Sequence, residues 1–209
     1  MINFGFLYVA KRDRHFRPII VINVERLLAL GDKIPTEDIV DVADYFLDFV
    51  IKHLMHAGSV ENFVMIVDLK DVDLTDLPLS KVKGIISSGQ RNFRGRLFRQ
   101  FTLNSGWVIR QAWKIVSSFV DGFTAQKMSV VKEKETLKNL EEHIDPECLE
   151  EKFGGKLPNI SQGKFFPPDM SLPSGEQLIP STIEVKEEVE VVAEFITENN
   201  NEPDEELTA

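Results

Sequence analysis

Residues 96–157, RLFRQFTLNSGWVIRQAWKIVSSFVDGFTAQKMSVVKEKETLKNLEEHIDPECLEEKFGGKL, combine a predicted strand, an aromatic helix, a second strand and a charged helix. Residues 97–103 have the apolar content of a short strand, and the Asn-Ser-Gly sequence at 104–106 suits a turn and a helix cap. Apolar side chains then recur at three- and four-residue spacing over residues 107–120. This spacing predicts a helix with one broad apolar face.

The second half of this segment returns the chain to the sheet. The aromatic helix is predicted to end at Asp121, and Thr-Ala-Gln-Lys at 124–127 links it to a β-branched strand at 128–131. A charged helix follows and leads to an Asp-Pro sequence at 145–146, which is typical of a helix N-terminus. The Phe-Gly-Gly sequence at 153–155 closes the segment.

The residues before this segment complete an alternating α/β pattern. They predict, in order, strands at 4–9 and 19–24 joined by a basic turn, an amphipathic helix at 36–56, a continuous apolar strand at 63–67, and a helix at 80–95. The resulting order is β-β-α-β-α-β-α-β-α. It predicts an α/β fold with a mainly parallel, five-stranded sheet.

The net charge of −10 is concentrated at the C-terminus. Residues 181–209 contain ten acids and one base, which leaves −1 for the remaining 180 residues. We therefore expect one folded domain over residues 1–170 and an acidic, largely disordered tail over 171–209. This charge argues against a nucleic acid partner, while the tail offers a surface for a protein partner.

Cysteine content and hydropathy predict a cytoplasmic protein. Cys148 is the single cysteine, so no disulfide framework can form and a reducing compartment is expected. No apolar run is long enough to span a bilayer. The first residues also lack the basic and then apolar layout of a signal peptide.

Enzyme signatures are missing from the sequence. It has no Gly-x-Ser-x-Gly elbow, no phosphate-binding glycine loop and no dinucleotide fingerprint after a predicted strand. The acids around Cys148 would raise the pKa of its thiol. His53 and His56 have a spacing that could bind metal, but no third ligand lies nearby and a helix end accounts for a histidine. We expect neither an enzyme nor a cofactor or metal site.

Aromatic content is high for one small sheet. Fifteen phenylalanines and two tryptophans supply more apolar side chain than a thin two-layer core needs. Two explanations account for this high aromatic content. Side chains such as Trp113, Val116, Phe119 and Phe123 either fill an ordinary core or enclose a cavity for a ligand.

Four pieces of the segment 96–157, in register, resemble the C-terminal half of the CRAL-TRIO lipid-binding domain, the family of the phosphatidylinositol and tocopherol transfer proteins. They are residues 96–104, 113–119, 124–127 and 152–155. The family commonly has Asp-x-x-Gly-Arg-Pro between its first two strands, where this chain has Phe16 in place of glycine. It also places a small helical lobe before the first strand, whereas this sequence starts almost at that strand; the lobe is then trimmed from this sequence, missing from a short gene product, or replaced.

The resemblance implies a hydrophobic pocket between the sheet and a gate helix over residues 107–120. Its implied lipid contacts are Trp113, Val116, Phe119 and Val120 on the gate, and Phe63, Met65, Val67, Phe101 and Leu103 on the floor. Lys127 matches the family lysine that contacts the inositol phosphate. Arg91, Arg94, Arg96 and Arg99 are candidates for contact with a membrane or headgroup.

Two headgroup positions depart from the family pattern. The carboxylate that accompanies the lysine falls on Gly95, and the hydroxyl pair used for phosphocholine falls on Phe63 and Met65.

The resemblance as a whole implies a non-enzymatic domain that binds a hydrophobic ligand. A phospholipid is the expected ligand, and a phosphoinositide is one candidate. The domain would transfer or present that ligand at cytosolic membranes as a peripheral protein. The alternative is a relative without a pocket that acts as a scaffold, for example for a small GTPase or its regulator.

Overall fold

The fold is built on a five-stranded sheet with the strand order β1-β2-β3-β4-β5. The computed structural model describes residues 1–31, 33–73, 79–104 and 116–170. The strands are β1 (Leu7–Arg12), β2 (Pro18–Asn23), β3 (Phe63–Asp68), β4 (Leu97–Leu103) and β5 (Met128–Val130). β1 is antiparallel to β2, and β2 to β5 are parallel. The predicted α/β class and mainly parallel sheet are confirmed.

Helices connect the strands and cover both faces of the sheet. They are α1 (Val24–Ala29), α2 (Thr36–Phe49), α3 (Leu79–Asn92), α4 (Gly122–Ala125) and α5 (Thr136–Glu141). A π-helical turn, Val50–Leu54, continues α2, and 3₁₀ turns lie at Ile2–Phe4, Glu133–Glu135, Pro146–Cys148 and Glu151–Phe153. Within the described ranges, every helix is too short or too polar to cross a bilayer.

The contacts divide the chain into two units, Met1–Leu178 and Ile179–Ala209. The second unit lies entirely outside the described residues, as does the whole predicted acidic tail, 171–209. The predicted gate helix is described only from Val116 onward. The domain boundary at residue 170 and the disorder of the tail therefore stay predictions.

One face of the sheet is a filled core. Alternate residues of the strands point to this face because side chains alternate along a β-strand. They include Val64, Ile66, Phe101 and Leu103, and they pack with side chains that follow β5. The C-terminal part of that core consists of Leu140, Ile144, Leu149, Phe153 and Phe165.

The Gly-Gly pair at 154–155 allows the chain to turn onto this core. Gly154 has a φ of 91°, a left-handed conformation that favours glycine. A Cβ at Gly155 would overlap the backbone oxygen of Leu149. The predicted closing motif is therefore a position where the backbone itself approaches closely.

The other face is covered by α2 and α3. Side chains of α3 donate hydrogen bonds to Asp44 of α2. The Ser88 hydroxyl donates to the Asp44 carboxylate, with its Oγ 2.7 Å from Oδ1 and 2.6 Å from Oδ2, and Asn92 Nδ2 donates to Asp44 Oδ2 at 2.8 Å. At Gly84, a Cβ would lie only 3.0 Å from a methyl group of Val40. These contacts hold α3 close to α2 and fix its position beside the sheet.

The arginines of the basic turn between β1 and β2 that are buried, Arg12 and Arg17, make contacts within the protein. Arg12 and Arg17 are 6% and 8% exposed. Arg17 Nε donates to Asp13 Oδ2 at 2.7 Å, and its guanidinium lies 3.3 Å from the centre of the Phe98 ring. Arg12 Nη1 donates to the backbone oxygen of Phe16 at 2.6 Å, and burial lowers the pKa of Arg12.

Phe16→Gly is expected to raise the free energy of unfolding by about 1 kcal/mol. Phe16 has a φ of 62° and is 51% exposed, so its backbone is strained while its ring gains little from packing. Left-handed backbone costs a residue with a Cβ roughly 1–2 kcal/mol. Urea denaturation measures the change. Phe16→Ala keeps the strain and is the control; equal stability of the two variants would contradict the prediction.

Candidate ligand-binding cavity

A cavity of about 240 Å³ is lined by the sheet, by α3 and by residues 116–128. Its apolar lining comprises Ile22, Val24, Leu27, Leu47, Phe63, Met65, Val67, Leu69, Leu79, Val82, Ile85, Ile86, Phe93, Leu97, Val116, Val120, Phe123 and Met128. Aliphatic and aromatic walls with a few polar groups are typical of sites for small hydrophobic ligands. This lining suits an alkyl chain.

β3 supplies the middle of the cavity floor. Phe63, Met65 and Val67 line the cavity, whereas Val64 and Ile66 belong to the filled core on the opposite face. This division follows from the two-residue period of a strand. The structure therefore places all three β3 residues of the predicted floor at the cavity.

The predicted floor residues on β4 require a correction. Phe101 and Leu103 are buried in the filled core rather than at the cavity. In the β3–β4 pairing, Met65 lies opposite Gln100 and Ile66 lies opposite Phe101, and paired residues of a sheet share a face. Gln100 and Thr102 consequently line the cavity, and neither residue was predicted to do so from the sequence.

The described end of the predicted gate reaches the cavity at two positions. Val116 and Val120 line it, four residues apart on one side of a helical turn. The Phe119 ring instead faces Lys83 of α3, with 5.4 Å from Nζ to the ring centre. Trp113 lies outside the described residues, so its gate role stays a prediction.

Lys127 is one of the polar residues that line the cavity. Lys127 Nζ donates to the backbone oxygen of Leu97 at 2.6 Å and lies 4.4 Å from the centre of the Phe123 ring. Phe123 is 63% exposed. The Lys127 ammonium group and the exposed Phe123 ring therefore lie side by side, next to the first residue of β4.

Asp121 and Gln90 fix the segment that carries Lys127. Asp121 caps α4 by accepting bonds from the backbone of Phe123 and Thr124 at 3.0 and 2.9 Å. The hydrogen bond from the Thr124 backbone is the main cause that lowers the pKa of Asp121. Gln90 of α3 accepts from the Asp121 backbone at 2.6 Å. The predicted stop at Asp121 is thus also the start of α4.

The four arginines of the predicted headgroup region have separate surroundings. Arg94 is exposed and lines the cavity. Arg96 Nη1 donates to the Glu61 backbone oxygen at 3.1 Å, and Arg91 Nε donates to the Asn92 side chain at 3.4 Å. Arg91, Arg96 and Arg99 are not among the described lining residues. The structure therefore brings only Arg94 of this set to the cavity.

Cys148 lies away from the cavity, beside the filled core. Burial is the main cause that raises the pKa of its thiol, and the charge of Asp145 acts in the same direction. A raised pKa keeps the thiol protonated at neutral pH, which is unfavourable for nucleophilic chemistry. The predicted direction of this pKa change is confirmed.

A mainly parallel sheet with an apolar cavity on one face defines a small α/β ligand-binding domain. The sequence model of the CRAL/TRIO domain matches residues 3–155. The chain is 22% identical over 154 residues to a CRAL-TRIO domain-containing protein of Schizosaccharomyces pombe, covering 74% of this chain and 33% of the relative. It also resembles the crystal structure of Sfh5, with a TM-score of 0.59, 14% identity, and coverage of 93% of this chain and 65% of that chain.

The chain belongs to the CRAL/TRIO domain family, which is known for binding lipids. The likeness to Sfh5 supports the fold and, at 14% identity, nothing finer. The chain spans about a third of the length of the fission yeast relative.

Proposed function

We propose that this chain binds a hydrophobic lipid, with a phospholipid as first candidate, and transfers or presents it at cytosolic membranes without covalent change. The observation that carries the proposal is the apolar cavity of about 240 Å³ beside β3 and α3. The lipid-binding character of the family supports the same class of ligand. The chain would associate with membranes peripherally while lipid enters or leaves.

An apolar cavity would lower the free-energy cost of exposing a lipid tail to water. Exposing a lipid tail to water costs about 0.8 kcal/mol for each CH₂ group. An acyl chain of about sixteen carbons therefore meets an unfavourable change of more than ~10 kcal/mol when it leaves a membrane unaided. A cavity lined by Met65, Val67, Val82 and Ile85 can replace the membrane interior along part of that chain.

A negatively charged headgroup is the finer part of the proposal. Lys127 and Arg94 both lie at the cavity, near the start of β4. An ammonium group has three donors, and the backbone oxygen of Leu97 takes one, which leaves two for a phosphate. A phosphoinositide is one candidate, although Gly95 occupies the place of the family carboxylate.

Lys127→Ala is expected to weaken binding of anionic phospholipid about tenfold and to leave binding of a neutral lipid without a phosphate, such as diacylglycerol, unchanged, since it removes one charge-assisted hydrogen bond. Transfer of labelled anionic phospholipid and of labelled diacylglycerol between vesicles of one composition measures the difference. Lys138→Ala is the matched control, because Lys138 is an exposed lysine on α5, away from the cavity. An equal loss for both lipids would contradict a headgroup role.

A protein scaffold remains the second candidate because Phe63 and Met65 both face the cavity. Their bulk occupies positions where the family's phosphocholine site has hydroxyl groups. In this alternative, an outer surface or the acidic tail would bind a protein such as a small GTPase or its regulator.

Native mass spectrometry of the purified chain after exposure to a lipid extract tests the proposal. A lipid that is retained after removal of free lipid, together with transfer of labelled phospholipid between vesicles, supports the carrier. A chain that stays empty and transfers no lipid supports the scaffold. Both measurements are needed because retention alone does not show exchange.

A further inference from the structure

We infer that the lipid carries a hydroxyl or carbonyl oxygen in the part that the cavity buries, and that Gln100 and Thr102 recognise this oxygen. The inference rests on the proposed lipid binding and narrows the class of lipid. It comes from Gln100 and Thr102 because, among the described lining residues, these are the polar ones that are buried.

Gln100 and Thr102 are deeply buried in an apolar setting. They are 8% and 6% exposed, and both line the cavity. Their neighbours across the β3–β4 pairing are Met65 and Val67. Buried polar groups are unfavourable unless they are hydrogen-bonded. An amide and a hydroxyl on this floor therefore require partners.

The two side chains satisfy each other only in part. Gln100 Nε2 donates to Thr102 Oγ1 at 3.3 Å, and in the described ranges this is the one side-chain hydrogen bond that either residue makes. A glutamine amide has two N–H donors and an acceptor oxygen, and a threonine has one O–H donor. The Gln100 oxygen, its second N–H and the Thr102 O–H are thus available to a ligand. A purely hydrocarbon chain would leave them unpaired.

The backbone holds this pair in a fixed position. β4 lies between β3 and β5, and the Gln100 backbone N–H donates to the Lys127 oxygen at 2.8 Å. Thr102 lies two residues further along the strand, about 7 Å away. Gln100 is next to Lys127 in the sheet. If the charged group of a lipid binds Lys127, the oxygen atoms nearest to that charged group would therefore lie beside Gln100. Ester carbonyls of a glycerolipid or a hydroxyl on a fatty acid have this chemistry.

Displacement of a fluorescent fatty acid from the full chain tests the inference. The probes are stearate and its hydroxy and oxo derivatives, with the oxygen at successive chain positions. The unmodified chain is expected to bind at least one oxygenated derivative about tenfold more tightly than stearate. Gln100→Leu combined with Thr102→Val should abolish this preference, so that stearate and its oxygenated derivatives bind with the same affinity.

Single variants keep the test decisive if the double variant folds poorly. Thr102→Val removes the hydroxyl at constant shape and should reduce the preference, whereas Thr102→Ser keeps the hydroxyl and should preserve it. Equal binding of stearate and every derivative by the unmodified chain would overturn the inference and leave lipid binding intact. An unchanged preference in the double variant would also overturn it. Failure to bind any probe, including stearate, would overturn the inference, and the proposed function would fall with it only if no lipid is retained from the extract either.

Discussion

Gly89→Trp is expected to lower the affinity for stearate or phospholipid by about 100-fold or more while the fold stays intact. Gly89 lies in α3 and lines the cavity, and a Cβ built there meets nothing within 4 Å. An indole at this position would fill space in a cavity of about 240 Å³ that an alkyl chain needs. A 100-fold loss is about 2.7 kcal/mol, the burial energy of only three or four CH₂ groups.

Gly89→Ala is the matched control because it changes the helix without filling the cavity. Glycine within a helix is less favourable than alanine by about 0.5–1 kcal/mol, so the alanine variant should be more stable by that amount. It should also bind lipid normally. Urea denaturation and fatty acid displacement measure the two effects separately. A stable Gly89→Trp variant that still binds lipid would show that the cavity is not the binding site.

Glu150→Leu is expected to lower the free energy of unfolding by about 3–5 kcal/mol. Glu150 is 1% exposed, and it accepts hydrogen bonds from the Tyr8 hydroxyl at 2.7 Å and from the Ile160 backbone at 3.0 Å. Lys152 Nζ lies 3.7 Å from the same carboxylate and donates to the Tyr8 oxygen at 2.6 Å. Leucine would leave these donors without their shared acceptor inside the protein. Urea denaturation measures the loss.

Tyr8→Phe separates the hydroxyl from the rest of this network. Burial and the charge of Glu150 raise the pKa of Tyr8, so its hydroxyl remains a donor across the ordinary pH range. Its removal leaves Glu150 bonded to Ile160 and near Lys152, and it should cost about 1–2 kcal/mol. A loss in Glu150→Leu no larger than that in Tyr8→Phe would contradict the central role of the carboxylate. The network matters because it joins β1 to the chain near residue 160.

Local sequence patterns predicted the elements that depend on near neighbours. Residues 97–103 form β4 as predicted, and β5 occupies the β-branched run that begins at Met128. The Asp-Pro sequence also acts as expected, because Asp145 caps the next turn by accepting from the Glu147 backbone at 3.0 Å. That turn is a single 3₁₀ turn, Pro146–Cys148. Its type depends on packing as well as on the cap.

Long-range packing accounts for what the sequence left open or misplaced. The basic turn was predictable from charge and proline, but the burial of Arg17 depends on Phe98, which lies in another strand. Gln100 was not predicted to line the cavity because a polar residue on a strand is ordinarily expected to face solvent. No residue near Gln100 in the sequence indicates that α3 and residues 116–128 enclose a cavity above it.

Periodicity, turn residues and caps were enough to establish the order of strands and helices, because these signals act over a few neighbouring residues. The tertiary structure alone decided which side of β4 faces the cavity. A strand offers two faces that differ by one residue, and pairing selects between them. The Ile66–Phe101 pairing joins residues that are far apart in the chain, and it directs Phe101 and Leu103 into the core and Gln100 and Thr102 toward the ligand site.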